Sequence, residues 1–224
     1  MRRLKFSYRW ITMQTNLLPR ELSELAPDCW LIPDFLDPPT QKALLEQTRE
    51  WCAGGFFTPL MPNGTPMNHP ICCLGHHWEP YDYHPPRRPF PTGLTAMANL
   101  ALDALGGPGD QWCPFQPDTA LVNWFPPGSS LGAHQDRSEA PALLEAGSPI
   151  VTVALGDACH FYLGGYSREA PARQVEMYSG DCLIMAGGGR MRFHEVRRIL
   201  SNTVPAFLQM QPGRISITIR RARP

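Results

Sequence analysis

A chain of 224 residues with 20 Lys+Arg against 20 Asp+Glu has room for one sizeable core and carries no net charge. Neutrality excludes a global field drawing it onto nucleic acid or membrane, so any such partner is met through a local patch. Seven cysteines without C-x-x-C spacing, two of them adjacent (Cys72 and Cys73), exclude a zinc ribbon and a disulfide framework and suit a reducing cytosol. No apolar run nears the roughly 18 residues a membrane span needs. Residues 1–12 lack the apolar core and cleavage site of a signal peptide. The expectation is a soluble, cytoplasmic monomer with no membrane contact. Arg190, Arg192, Arg197 and Arg198, and then Arg220, Arg221 and Arg223, form local basic clusters. They read equally as a solvated surface or a phosphate track.

In chain order, residues 1–26 read as an extension and 27–222 as a single domain. Cys29-Trp-Leu-Ile-Pro33 is a short strand. Asp37-Pro38-Pro39 opens a first helix that places Leu44, Leu45, Thr48, Trp51 and Cys52 at helical spacing before Gly54-Gly55 stops it. Residues 56–91 are crowded with Pro, Gly, Asn and His, which predicts a long loop. Its aromatics (Phe56, Phe57, Trp78, Tyr81, Tyr83, Phe90) argue for an ordered lid over the site. A second helix covers about 92–105, with Leu94, Met97, Ala101 and Leu105 on one stripe. From Thr119 the chain becomes short strands: 119–125, 149–155, 159–163, 174–178, 181–185, 190–199 with a break, and 214–220. Turn signals such as Gly164-Gly165 and Ser179-Gly180 separate them. The pattern predicts a mainly β jelly roll with the two helices buttressing one sheet.

Two features carry chemistry. In an extended segment His134 and Asp136 point to one face. A distant His194 brought alongside completes two imidazoles and a carboxylate, which occupy one face of an octahedral Fe(II) and leave three positions open. Taken alone, H-x-D is as well read as a surface carboxylate beside a packed histidine. In the tail, Ile215, Ile217 and Ile219 share one face, and Arg214, Ser216, Thr218 and Arg220 the other. That is either an edge strand with its polar side in water or a clamp for a dicarboxylate, a task suited to the planar guanidinium fork. At about 3.3 Å per residue the two arginines stand roughly 20 Å apart, so they would meet opposite ends of a small acid.

Together with Asn123-x-Phe125-x-x-Gly128, the 149–165 run PIVTVALGDACHFYLGG and Gly180-Asp181, these motifs resemble the AlkB family of Fe(II)/2-oxoglutarate-dependent dioxygenases over most of 27–222. The resemblance implies a double-stranded β-helix. It implies Fe(II) on His134, Asp136 and His194, with 2-oxoglutarate and O2 as cosubstrates. Arg214 would pair with the distal carboxylate of 2-oxoglutarate, Arg220 would support its metal-bound end, and Asn123 would hydrogen-bond it. Phe125 stands where the family usually has tyrosine, and Ser216 where it commonly has asparagine. Both departures bear on cosubstrate affinity. On the substrate side, Trp78 would stack the base against His134, Tyr83 would reach a phosphate, and Arg168 matches a further contact. Ser138 replaces an acid that reads the base edge, with Glu139 as its stand-in. The implied reaction is demethylation of 1-methyladenine and 3-methylcytosine in single-stranded DNA, or RNA, with release of formaldehyde, succinate and CO2. The alternatives are an AlkB-like enzyme acting on tRNA or protein, and a non-catalytic jelly-roll binding module.

Overall fold

Strand β12 (Arg214–Arg220) lies between β5 (Thr119–Phe125) and β7 (Ile150–Gly156), antiparallel to both, and all seven of its residues are buried. This excludes the edge-strand reading. The computed structural model, which describes residues 20–224, contains two sheets. The larger has eight strands, which include β1 (Ser23–Ala26), β2 (Cys29–Ile32), β3 (Ile71–Glu79), β4 (Asp82–Arg88) and β10 (Cys182–Met185). Their order is β1-β2-β10-β7-β12-β5-β3-β4. The smaller is β6 (Leu131–His134), β11 (His194–Leu200), β8 (Ala158–Leu163) and β9 (Arg173–Met177), in that order. The protein is the expected mainly β jelly roll.

The two-residue period of β12 sorts its side chains between two environments. Ile215, Ile217 and Ile219 pack into the larger core with Leu44 and Leu45 of helix α1 (Pro38–Trp51) and Leu94 and Leu102 of α2 (Thr92–Asp103). Ile217 and Ile219 are fully buried, each contributing roughly 1.5–3 kcal/mol. The opposite face, with Arg214, Ser216, Thr218 and Arg220, looks into a cavity between the sheets. Phe125, Phe161, Leu163, Met177, Leu183 and Met185 form a second core. Both predicted helices are present. The Asp37 side chain accepts the Thr40 backbone N–H at 2.8 Å and caps α1, while Pro38 fits the first turn, where no donor is needed.

The structure departs from the sequence reading in three places. Half of the predicted loop over 56–91 is the hairpin β3–β4, which extends the large sheet. Pro85-Pro86 argues against a strand, but β4 is the edge, where a missing donor is harmless. Gly75, at φ +80, bends β3 where a side chain would strike the Asp118 carbonyl. Second, the stretch read as an N-terminal extension contributes β1, which pairs with β2; the rest of it, residues 1–19, lies outside the described residues. Third, β6, four residues ending at His134, is too short to read from pattern. Among the described residues no helix is long and apolar enough to cross a membrane.

Candidate active site

Pairing of β6 with β11 places His134 directly opposite His194. Their ring centroids are 4.3 Å apart, and Asp136 follows two residues beyond the end of β6. His134 Nε2 lies 3.7 Å from Asp136 Oδ1, and His194 Nε2 lies 3.8 Å from Oδ2. Two metal–ligand bonds of about 2.1 Å span such separations. One donor atom from each of the three residues falls within 4.8 Å of the others.

Each ring is oriented from behind. His134 Nδ1 is 2.8 Å from the Gly132 carbonyl, and His194 Nδ1 is 3.1 Å from that of Arg192. A carbonyl only accepts, so Nδ1 carries the proton and Nε2 offers its lone pair. Burial, and then the neighbouring His134, push the His194 pKa down to about 4. The ring is therefore neutral near pH 7. Burial alone would raise the Asp136 carboxyl, but Arg220, then His194 and His134, hold it well below the usual carboxylate range. Two imidazoles and one ionised carboxylate on one side of an open cavity fit Fe(II).

That cavity measures about 450 Å³, within the usual range for small-molecule sites. Arg214 is 1% exposed on its wall. Its Nη1 donates to the Asp157 and Met177 carbonyls at 3.0 and 3.2 Å, and its Nε to Ser216 Oγ at 3.3 Å. Nη2 is the nitrogen left for a carboxylate. Arg220 also lines the cavity, and two of its nitrogens already serve carboxylates of this chain: Nη2 donates to Asp136 Oδ2 and Nη1 to Glu139 Oε1, both at 3.0 Å. Asn123 lines the cavity, and its Oδ1 lies 3.0 Å from His69 Nε2. His69, buried and packed on Phe125 at 4.1 Å, has no counterpart in the sequence reading. Nothing in Asn68-His69-Pro70 marks it locally.

Trp78, Ser138 and Arg168 line the same cavity as the three candidate ligands. Trp78 Nε1 donates to Ser138 Oγ at 3.2 Å, and Arg168 Nη1 donates to the Ala133 carbonyl at 2.7 Å. Two expectations are corrected. Tyr83 is 1% exposed with an unpartnered buried hydroxyl, and cannot reach a phosphate. Tyr81, at the hairpin turn, is 65% exposed and lines the cavity, so it is the tyrosine available to substrate. Glu139 cannot read a base either, because its carboxylate is buried between Arg190 and Arg220.

The family model for the 2OG-Fe(II) oxygenase superfamily matches residues 28–220. An alpha-ketoglutarate-dependent dioxygenase AlkB homolog of Caulobacter vibrioides is 35% identical over 212 residues, covering 88% of this chain and 87% of that one. The DNA N(6)-methyladenine demethylase ALKBH1D of Arabidopsis thaliana is 30% identical over 94% of this chain; the chain spans about half of it, 54%. The solved structure of OsALKBH1 superposes with a TM-score of 0.81 at 29% identity, covering 90% of this chain and all of that one. The match along nearly the whole domain, with a donor set that suits iron, places this chain in the AlkB family as an Fe(II)- and 2-oxoglutarate-dependent dioxygenase.

Proposed function

We propose that the protein removes N-methyl groups from bases of single-stranded DNA, with 1-methyladenine and 3-methylcytosine as the first candidates and RNA as a second polymer. The observation that carries this reading is the shared cavity. Trp78, Ser138, Tyr81 and Arg168 line the space into which the Nε2 atoms of His134 and His194 open. A base buried in a duplex must leave the stack to reach such a depth, which favours single strands. The name of the Arabidopsis relative, a DNA N(6)-methyladenine demethylase, adds a neutral methylated base to the candidates.

Bound iron, with 2-oxoglutarate and O2, supplies the oxidising power that turns an N-methyl group into a hydroxymethyl group, which leaves as formaldehyde. The rest is positioning by this chain. His134, Asp136 and His194 hold the metal. Nη2 of Arg214, with Ser216, takes the distal carboxylate of the cosubstrate, and Asn123 steadies it from β5. The apolar wall around Phe125, Phe161 and Leu183 keeps water from the cosubstrate. Trp78 offers a flat face to the base, and Tyr81 and Arg168 stand at its polymer side. The lid is the 57–70 segment with the hairpin turn at Tyr81. We read the protein as a cytoplasmic monomer; its seven free cysteines, six of them buried, suit a reducing compartment.

The test is formaldehyde release from a short single-stranded DNA carrying one 3-methylcytosine, with Fe(II), ascorbate and 2-oxoglutarate. Matched strands would carry 1-methyladenine, N6-methyladenine or an RNA backbone. Cosubstrate-dependent release supports the reading, and the relative rates rank the lesions. Succinate without formaldehyde from any strand would sink the nucleic-acid substrate and turn attention to protein.

A further inference from the structure

Behind the candidate metal ligands lies a group of buried charges that ligand binding does not require. Glu139 is fully buried, Arg190 is 1% exposed and the Arg220 side chain 6%. Arg220 bridges Asp136 Oδ2 and Glu139 Oε1, each at 3.0 Å. Arg190 Nη2 sits 2.9 Å from Glu139 Oε2, an ion contact rather than an aligned hydrogen bond, and 3.2 Å from the Asp136 carbonyl. Arg190 Nη1 donates to the Ser148 carbonyl at 2.6 Å. Two carboxylates and two guanidiniums thus form one charge-balanced cluster.

Its placement in the chain gives it a role. Asp136 and Glu139 follow β6, Arg190 lies in the 3-10 turn Gly187–Met191 just before His194, and Arg220 ends β12. The cluster ties together the three segments that carry the ligands and the cavity wall. Gln135, between His134 and Asp136, adds a strut: its Nε2 donates to the Met191 carbonyl at 2.6 Å. Although Glu139 Oε2, Arg190 Nε and Arg220 Nε have no hydrogen-bond partner, each charge faces an opposite one, and within a low-dielectric interior such pairing holds the members close to one arrangement. Ordinary fold stability has little need of it, because a buried ion pair is often replaceable by apolar groups of similar size.

We propose that Glu139 and Arg190 are positioning residues for the iron site. Their buried pair anchors Arg220 and the Asp136 backbone so that the Asp136 carboxylate is aimed at the metal. Without Glu139, two buried guanidiniums face Asp136 alone and draw its oxygens away from the ion. The inference rests on His134, Asp136 and His194 being the ligands, so His134→Ala is the control. If Co(II) binds that variant as it binds the parent protein, the ligand assignment fails and not this proposal.

The probe is Co(II) alone, followed by titration calorimetry and by its visible absorption spectrum. Glu139→Gln is expected to weaken binding by roughly 10- to 100-fold, the usual cost of losing a group that orients a ligand, and to alter the spectrum. The double change Glu139→Met with Arg190→Met removes both charges and is expected to keep the fold while binding remains weak. A merely structural pair would instead show parent-like binding once folding is restored. Arg190→Lys keeps the charge but cannot reach Glu139 and the Ser148 and Asp136 carbonyls together, and is expected to weaken Co(II) binding with a changed spectrum. Parent affinity and an unchanged spectrum in any folded variant of the three would overturn the proposal.

Discussion

The two ends of the cavity are built by different means. At the proposed metal and cosubstrate end, every group sits in or within two residues of a regular strand: His134 ends β6, His194 starts β11, and Arg214 and Ser216 lie on β12. Ladder register sets their spacing, and the Nδ1 hydrogen bonds set the ring orientations. At the proposed substrate end, Met61, Thr65, Met67 and Tyr81 come from an irregular segment and a tight turn, and the Trp78 side chain, near the end of β3, makes one hydrogen bond, to Ser138. The comparison separates a reaction centre that tolerates little displacement from a recognition surface that can change residue by residue. Substitutions at the first end should abolish turnover. Those at the second should redistribute it between substrates.

The sharpest break should come from His134→Ala, which removes a ligand and with it both formaldehyde and succinate release, reducing each to background. Next is Arg214→Met, which keeps the volume but leaves the distal carboxylate without its buried cation. Losing such a pair costs about 2–5 kcal/mol, so the KM for 2-oxoglutarate should rise by roughly 100-fold with metal binding intact. An unchanged KM would place the clamp elsewhere. A smaller effect is expected for Trp78→Ala, because stacking on an aromatic ring contributes about 1–3 kcal/mol per base. Demethylation of the oligonucleotide should fall roughly 10- to 100-fold in kcat/KM, while succinate formation without substrate stays near the parent rate. Demethylation at the parent rate would remove Trp78 from the base site. The smallest effect is a contrast between neighbours. Tyr83→Phe deletes a buried hydroxyl without a partner and should leave oligonucleotide affinity unchanged and the Tm equal or higher. Tyr81→Ala should weaken oligonucleotide binding, and the reverse outcome would restore the phosphate role to Tyr83.

The same contrast governs what could be read from the sequence. Alternation of isoleucine with polar residues made the two faces of β12 legible, but only its place between β5 and β7 decided whether the polar face met water or a cavity. His134-x-Asp136 was legible because its geometry is local. The first helix announced itself through Pro38-Pro39 at the start and Gly54-Gly55 at the stop, the second through its apolar stripe of Leu94, Met97, Ala101 and Leu105. The hairpin β3–β4 was not legible, because Gly75 and Pro85-Pro86 look like loop residues unless the bend and the sheet edge are known. Choosing between Tyr81 and Tyr83 needed the hairpin register, since two residues of the same type compete for one role. Glu139 and Arg190 were beyond reach for a related reason: adjacent to functional residues in sequence, they look like surface charges, and only tertiary packing shows that they face each other in the interior.

The position of β12 also constrains how the protein is made. It is the last strand of the described sheet in chain order, yet it is the shared neighbour of β5 and β7. Until it is synthesised, β5-β3-β4 and β7-β10-β2-β1 are two half-sheets with no strand in common, and the Asp136 carboxylate lacks its guanidinium. At a translation speed of about 5–20 residues per second, the chain spends seconds with His134 and His194 made and β12, with Arg214 and Arg220, still missing. Closure of the large sheet and the pairing of Asp136 with Arg220 are therefore one event.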